Sequence, residues 1–145
     1  MINNKKAYYI YEIIEKEIAG VCLIGSEVKP LRSGEGSISE SFIFINDSNE
    51  MFIKNMYVKP SENNYKSYSR DPYSDRKLLL TKKQIKKFKE KLDTKGLTII
   101  PLKIFFNEKG LCKMEIALAK GKKLYDKRKS LKQKELKKEI DKNSI

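Results

Sequence analysis

A chain of 145 residues with 39% hydrophobic content can bury one modest core, which fits a single domain. Charged residues make up 35% of it and the formal net charge is +13, which points to a polyanionic partner. No apolar run approaches the ~20 residues of a membrane span, and no signal-peptide core follows Met1-Ile2-Asn3-Asn4-Lys5-Lys6, so a soluble cytoplasmic protein is expected.

Six segments rich in Ile, Val, Phe and Tyr read as strands: residues 8–14, 18–24, 38–45 and 51–58, then 97–106 and 111–119. A short helix is predicted over 26–32, limited by Pro30 because proline is easy only in the first turn. Asn46-Asp47-Ser48-Asn49 reads as a turn between the third and fourth strands. Residues 59–77 form a polar loop in which Tyr65, Tyr68 and Tyr73 accompany Arg70, Arg76 and Lys77. Those tyrosines are either ordinary loop residues or stacking surfaces for a base or ribose.

One helix is well signalled. Thr81 and Gln84 form a capping box, Ile85, Phe88 and Leu92 share a face, and Gly96 can end it. The opposite face carries Lys82, Lys83, Lys86, Lys87 and Lys89, so the helix can dock on a sheet and present cations outward. Pro101 places the fifth strand at an edge or a bulge. Asn107-Glu108-Lys109-Gly110 is a hairpin turn. The last strand alternates, with Cys112, Met114, Ile116 and Leu118 on one face and Lys113 and Glu115 on the other.

The expected fold is therefore mainly β: a small closed antiparallel barrel over residues 1–120, with two to three helices. A sandwich fits the same pattern. A barrel closes its own edges and so suits a monomer. Residues 121–145, nearly all charged, form a basic C-terminal tail expected to be disordered alone and helical when bound.

The charge is clustered. Residues 76–95 carry a net +7 and residues 121–145 a net +6, while the two remaining stretches nearly cancel. Such clustering favours nucleic acid over a merely solvated surface. Cys22 and Cys112 lie ninety positions apart among apolar neighbours, as reduced core thiols would, and fit neither a metal cluster nor a disulfide framework. The chain has no histidine, which removes the commonest general base and the usual zinc ligand, and Gly34-Glu35-Gly36 lacks the lysine of a phosphate loop. No catalytic residue, metal or cofactor is expected.

Several blocks, in order along the chain, are similar to the tmRNA-binding small protein B family. They are Asn4-Lys5-Lys6-Ala7, Ala19-Gly20-Val21, Gly25-Ser26-Glu27-Val28-Lys29-Pro30-Leu31-Arg32, Ser41-Phe42 and Arg76-Lys77-Leu78-Leu79-Leu80. Further on come Gly96-Leu97-Thr98, Pro101-Leu102-Lys103 and Ala117-Leu118-Ala119-Lys120-Gly121-Lys122-Lys123-Leu124-Tyr125-Asp126-Lys127-Arg128. The resemblance implies an oligonucleotide-binding-like closed barrel that holds the tRNA-like domain of tmRNA and takes the place of an anticodon arm. It implies a tail lying along the empty mRNA channel of a stalled ribosome, and delivery by the elongation GTPase acting on charged tmRNA.

Carried over by position, Asn4, Lys5, Lys6, Leu79 and Lys113 match the family's tmRNA-binding side, although Leu79 reads equally as a core residue before the helix. Gly121, Lys122, Lys123, Tyr125, Asp126, Lys127 and Arg128 match the segment needed on the ribosome, with Tyr125 suited to stacking on a decoding-centre base. Glu27 and Arg32 fit a salt bridge or helix cap as well as an RNA contact. The chain departs from the family at Ile18, where a Glu is usual, at Tyr8 and Tyr9, at Pro30, and around Val58-Lys59-Pro60, where a His is common. Two other readings stand beside this one: a general RNA-binding barrel such as a ribosomal accessory protein, and an RNA-processing enzyme run by Lys and Glu.

Overall fold

The computed structural model describes residues 1–60, 70–94 and 96–121. Strand pairing begins with β1 (Ile2–Asn3), which lies against β8 (Leu97–Phe106). The other strands of the main sheet are β2 (Tyr11–Val21), β4 (Phe42–Ile45), β5 (Met51–Lys54), β7 (Arg76–Leu79) and β9 (Cys112–Gly121). All their pairings are antiparallel, and they run in a ring: β8 to β4, β5, β7, β2, β9 and back to β8. The expected oligonucleotide-binding-like barrel is thus the architecture found. Two short strands, β3 (Gly36–Ser37) and β6 (Tyr57–Val58), pair separately.

The core follows from alternation. Ala19, Leu78, Ile53, Ile99, Ile104, Met114 and Ile116 are essentially sealed from solvent and belong to one cluster inside the ring. Helix α3 (Lys82–Leu92) adds Ile85 and Phe88 to that cluster. Its predicted cap is present: Gln84 N–H donates to Thr81 Oγ1 at 3.1 Å, and Thr81 N–H donates to Gln84 Oε1 at 2.9 Å. The helix stops at Leu92, and Gly96 (φ +88°) turns the chain into β8 rather than capping the helix itself.

The two predicted turns share one construction. Asn107 Oδ1 accepts from the N–H groups of Lys109 and Leu111, and Gly110 takes φ +80°. Asn46 Oδ1 accepts likewise from Ser48 and Glu50, and there Asn49 supplies the positive φ of 61°. Pro101 sits at a register shift in the β8–β9 ladder, the bulge its ring calls for.

Several expectations need correction. Residues 8–10 are not strand: α1 occupies Lys5–Ile10, because Ala7 packs on Ile100, Leu102, Ala117 and Ala119 while Tyr8 and Tyr9 face outward. The first two predicted strands are one long strand, β2, whose ladder skips Ile14 between Ile13 and Glu15; the bulge breaks the alternation that would have joined them. Residues 38–41 lie outside β4, and the fourth predicted strand is broken at Asn55, with φ 64°. Strand β7 came from the segment taken as the end of a loop and the approach to the helix. Helix α2 (Gly25–Arg32) begins a residue earlier than expected and contains Pro30. The proline stands in the last turn, and beyond it the Ser33 and Glu35 N–H groups bond to the Pro30 carbonyl at 3.1 and 2.8 Å. Cys112 is buried, whereas Cys22 is only half-buried.

Candidate nucleic-acid interface

The outward-facing side of β7, β2, β9 and β8 reads as rows of side chains. Leu79 pairs with Gly20, Gly20 with Lys113, and Lys113 with Phe105, so these four lie side by side across four strands. Their chain neighbours Leu78, Ala19, Met114 and Ile104 are buried in the barrel, which turns this row to the outside. The next row is Ile18, Glu115 and Lys103, and the one beyond begins with Lys16. Leu79 is 53% exposed and Ile18 42% exposed, two aliphatic groups left in water among lysines. The core reading of Leu79 is therefore set aside: the adjacent Leu78 fills the barrel instead.

Helix α1 is laid over the same side of the sheet, and Asn4 fixes where it starts. The Asn4 N–H donates to the Leu102 carbonyl and its Nδ2 to the Pro101 carbonyl, both at 2.8 Å. The residue is 5% exposed and its Oδ1 is buried without a partner. Asn4 thus holds α1 against the bulge in β8 and offers no free amide at the surface. Beside it, Asn3, Asn4, Lys5, Tyr8, Lys16, Lys103 and Glu115 border a shallow cavity of about 380 Å³. Lys16 Nζ stands 5.5 Å from the Tyr8 ring centre, and Lys103 Nζ 5.7 Å from that of Phe105. Lys6 points to the other side of α1, where it pairs with Glu40 at 3.0 Å.

Of the residues carried over for RNA binding, the fold brings Lys5, Leu79 and Lys113 to one surface, buries Asn4 beneath it and turns Lys6 away. Lys16, Lys103 and Phe105 join the surface although no motif marked them as contacts. Their signal was strand alternation, obscured in β2 and β8 by the two register shifts. Chemically, the face offers four cations, Lys5, Lys16, Lys103 and Lys113, against Glu115, with apolar and aromatic groups between them. Phosphates, ribose edges and unstacked bases can all be served by that mixture.

Glu27 and Arg76 have a different task. The Glu27 carboxylate accepts from the Ile24 N–H at 3.1 Å, capping α2, and from Arg70 Nη2 at 2.7 Å and Arg76 Nε at 3.0 Å. Arg76 is 1% exposed and also donates to the carbonyls of Ser74 (2.8 Å) and Pro72 (3.1 Å). It is a bolt between α2 and β7, not a loop cation. Burial works to raise the Glu27 pKa, but hydrogen bonds from Arg70, Arg76 and the Ile24 N–H hold it below the usual carboxylate value. Arg32 is likewise structural: it donates to the Gly110 carbonyl at 3.2 Å and lies over the Phe106 ring. Tyr73 packs on Tyr57, ring centres 5.1 Å apart. Gly121 ends β9 opposite Tyr11. Lys122, Lys123, Tyr125, Asp126, Lys127, Arg128, Tyr65 and Tyr68 lie outside the described residues.

A family model described as SmpB protein matches residues 1–144. The SsrA-binding protein of Cytophaga hutchinsonii is 49% identical over 144 residues, covering 99% of this chain and 93% of that protein. The SsrA-binding protein of Christiangramia forsetii is 44% identical over 140 residues, 97% of this chain and 88% of its own length. A solved structure described as "tmRNA-SmpB: a journey to the center of the bacterial ribosome" is similar with a TM-score of 0.71 and 39% identity, over 98% of each chain.

Proposed function

The chain belongs to the SmpB protein family, and from that premise we propose that it is a tmRNA-binding adaptor of trans-translation. The outer face of β7–β2–β9–β8 with α1 holds the tRNA-like domain of tmRNA, and the protein stands where an anticodon arm would. Lys5 and Lys113, with Lys16 and Lys103, supply charge to phosphates. Leu79, with Ile18 beside it in the adjacent strand, supplies apolar contact to an unstacked base. Asn4 serves this face from below by fixing α1. The observation that carries the reading is the row Leu79–Gly20–Lys113–Phe105, which assembles residues from four separated segments into one basic and apolar surface.

Residues 121–145 form the second grip. Lys122, Lys123, Lys127 and Arg128 bind the phosphates of the empty mRNA channel, Tyr125 stacks in the decoding centre, and Gly121 and Asp126 belong to the same segment needed on the ribosome. The protein acts in the cytoplasm, binds both RNAs without catalysing a reaction itself, and meets the elongation GTPase only through charged tmRNA. The deciding experiment is a competition at physiological salt between the tRNA-like domain of the cognate tmRNA and bulk tRNA. Preference of at least a hundredfold for the former is expected; equal affinity for tRNA, duplex RNA and tmRNA would instead make the chain a general RNA-binding barrel.

A further inference from the structure

Glu115 sits in the middle of a surface otherwise suited to anions. Met114 and Ile116 are in the core, so strand alternation turns Glu115 outward, where it is half-buried. Ile18 stands opposite it on β2 and Lys103 opposite it on β8. Lys5, Lys16 and Lys103 border the same cavity, and Lys113 lies two positions away on its own strand.

A lysine directly across from a glutamate is a favourable cross-strand pair. Elsewhere on the body Glu15, Glu35, Glu40 and Glu50 each hold a lysine. Glu115 does not: its side chain has no ion pair or hydrogen bond among the described residues. Lys103 and Lys16 are turned to rings instead, with Nζ 5.7 Å from the Phe105 centre and 5.5 Å from the Tyr8 centre. The carboxylate is left facing the cavity of about 380 Å³, which α1 borders with the half-exposed ring of Tyr8.

An acceptor-only group in such a place selects its partner by exclusion. It repels a phosphate, and the surrounding lysines repel a free cation. What fits is a neutral group with two adjacent N–H donors for the carboxylate and an acceptor for a neighbouring lysine. Among the nucleobases, guanine alone carries that order on one edge: N2–H and N1–H, then O6. Adenine and cytosine each set one amino group beside a ring-nitrogen acceptor, and uracil sets one N–H between two carbonyls. The Tyr8 ring gives the base a surface to lie against, and lysines not engaged by O6 can meet its flanking phosphates.

We propose that this cavity reads one unpaired guanine of the tRNA-like domain, with Glu115 accepting from N1–H and N2–H while Tyr8 stacks on the base. The proposal rests on the adaptor reading above and names the nucleotide that its RNA-binding face selects.

The sign of one substitution separates this role from that of a merely solvated acid. Glu115→Gln takes a negative charge off a basic face, so on charge alone it should tighten binding to every RNA. A carboxylate that reads guanine gives the opposite for the tRNA-like domain of the cognate tmRNA: affinity falls roughly tenfold. Affinity for a duplex RNA without unpaired bases should be unchanged or higher, which also reports that the variant is folded. Binding of the tRNA-like domain as tight as the parent's, or tighter, overturns the proposal.

The base is found by replacing each unpaired guanine of that domain in turn with inosine, which keeps N1–H and O6 but lacks the amino group. One replacement should weaken binding to the unaltered chain roughly fivefold, the worth of one hydrogen bond, and leave the affinity of Glu115→Gln as it was. If no replacement behaves so, the proposal falls. Tyr8→Ala should lose roughly tenfold through the missing stack, and full affinity there overturns the part given to Tyr8. If the unaltered chain does not prefer the tRNA-like domain to bulk tRNA, the adaptor reading falls by itself. The guanine site is then judged on a single strand of uridines carrying either one guanine or one inosine: a preference for guanine that Glu115→Gln abolishes is expected, and equal binding of the two strands by the unaltered chain overturns it.

Discussion

Leu79 stands directly across the β2–β7 ladder from Gly20, close enough that a Cβ on Gly20 would meet the Leu79 Cβ at 3.3 Å. The bare backbone of Gly20 is the seat on which the exposed leucine rests. Leu79→Ala should therefore leave melting nearly unchanged, within about 0.5 kcal/mol. It should weaken tRNA-like-domain binding several-fold, through lost apolar contact worth about 1 kcal/mol. Gly20→Val, which must displace Leu79, should lower affinity too while Lys113 is untouched. Paired thermal melts and RNA titrations read both. A large loss of stability in Leu79→Ala would return the residue to a packing role.

Lys113→Ala should reduce affinity for the tRNA-like domain and lower the slope of log affinity against log salt by about one unit, the signature of one lost phosphate contact. Titrations at four or more salt concentrations give the slope. A slope unchanged from the parent would remove Lys113 from the phosphate contacts.

The Glu27–Arg76–Arg70 cluster makes stability sensitive to acid. The folded pKa of Glu27 lies below its ordinary value of 4.5, so as pH falls the unfolded chain takes up that proton first. The contribution is full above about that value and is lost as pH falls through the folded pKa. Glu27→Gln should flatten the acid limb of the melting curve. Glu27→Ala, leaving Arg76 buried and unpaired, should cost about 3–5 kcal/mol. Melts taken from pH 3 to 7 measure both effects; an acid limb identical to the parent's in Glu27→Gln would show that other carboxylates govern it.

Asn4 acts through α1. Removing its side chain gives up the bond to the Pro101 carbonyl but also removes a buried oxygen without a partner, so Asn4→Ala should cost no more than about 1 kcal/mol. Asn4→Asp, which sets a carboxylate against the same carbonyl, should cost more. In both, the amides of Lys5–Ile10 should exchange faster and RNA affinity should fall. Normal α1 protection together with lost affinity would mean that Asn4 touches RNA directly.

Burial raises the Cys112 thiol to about 11, with the Glu27 charge adding to the effect, so little thiolate is present at pH 8. Iodoacetamide should label the half-buried Cys22 well before Cys112 in the folded protein, by mass spectrometry over a time course. Equal rates would show that the core around Cys112 opens readily.

Legibility in the sequence followed the locality of each cause. The α3 cap, the two Asn-centred turns and the alternation of β9 depend on residues within a few positions, and all could be read in advance. The merged β2, the strand β7 and the helix α1 depend on what lies across the fold. Ala7 is helical because Ala117 and Ala119 leave room beneath it, and Arg76 is in the core because Glu27 waits there from α2. For the site, motif blocks named Lys5 and Leu79 and a matching family position named Lys113, but no local pattern could say that Asn4 is covered while Leu79 is not. Register shifts at Ile14 and Pro101 hid Lys16, Lys103 and Phe105 from a simple period of two.

Tyr11 follows α1 immediately and faces Gly121 across the first rung of the β2–β9 ladder. The helix proposed to steady tmRNA and the root of the segment proposed to reach the ribosome are thereby joined through one hydrogen-bonded ribbon instead of a tether. On the proposed reading such a ribbon works as a calliper, its setting fixing how far apart the two RNAs stand.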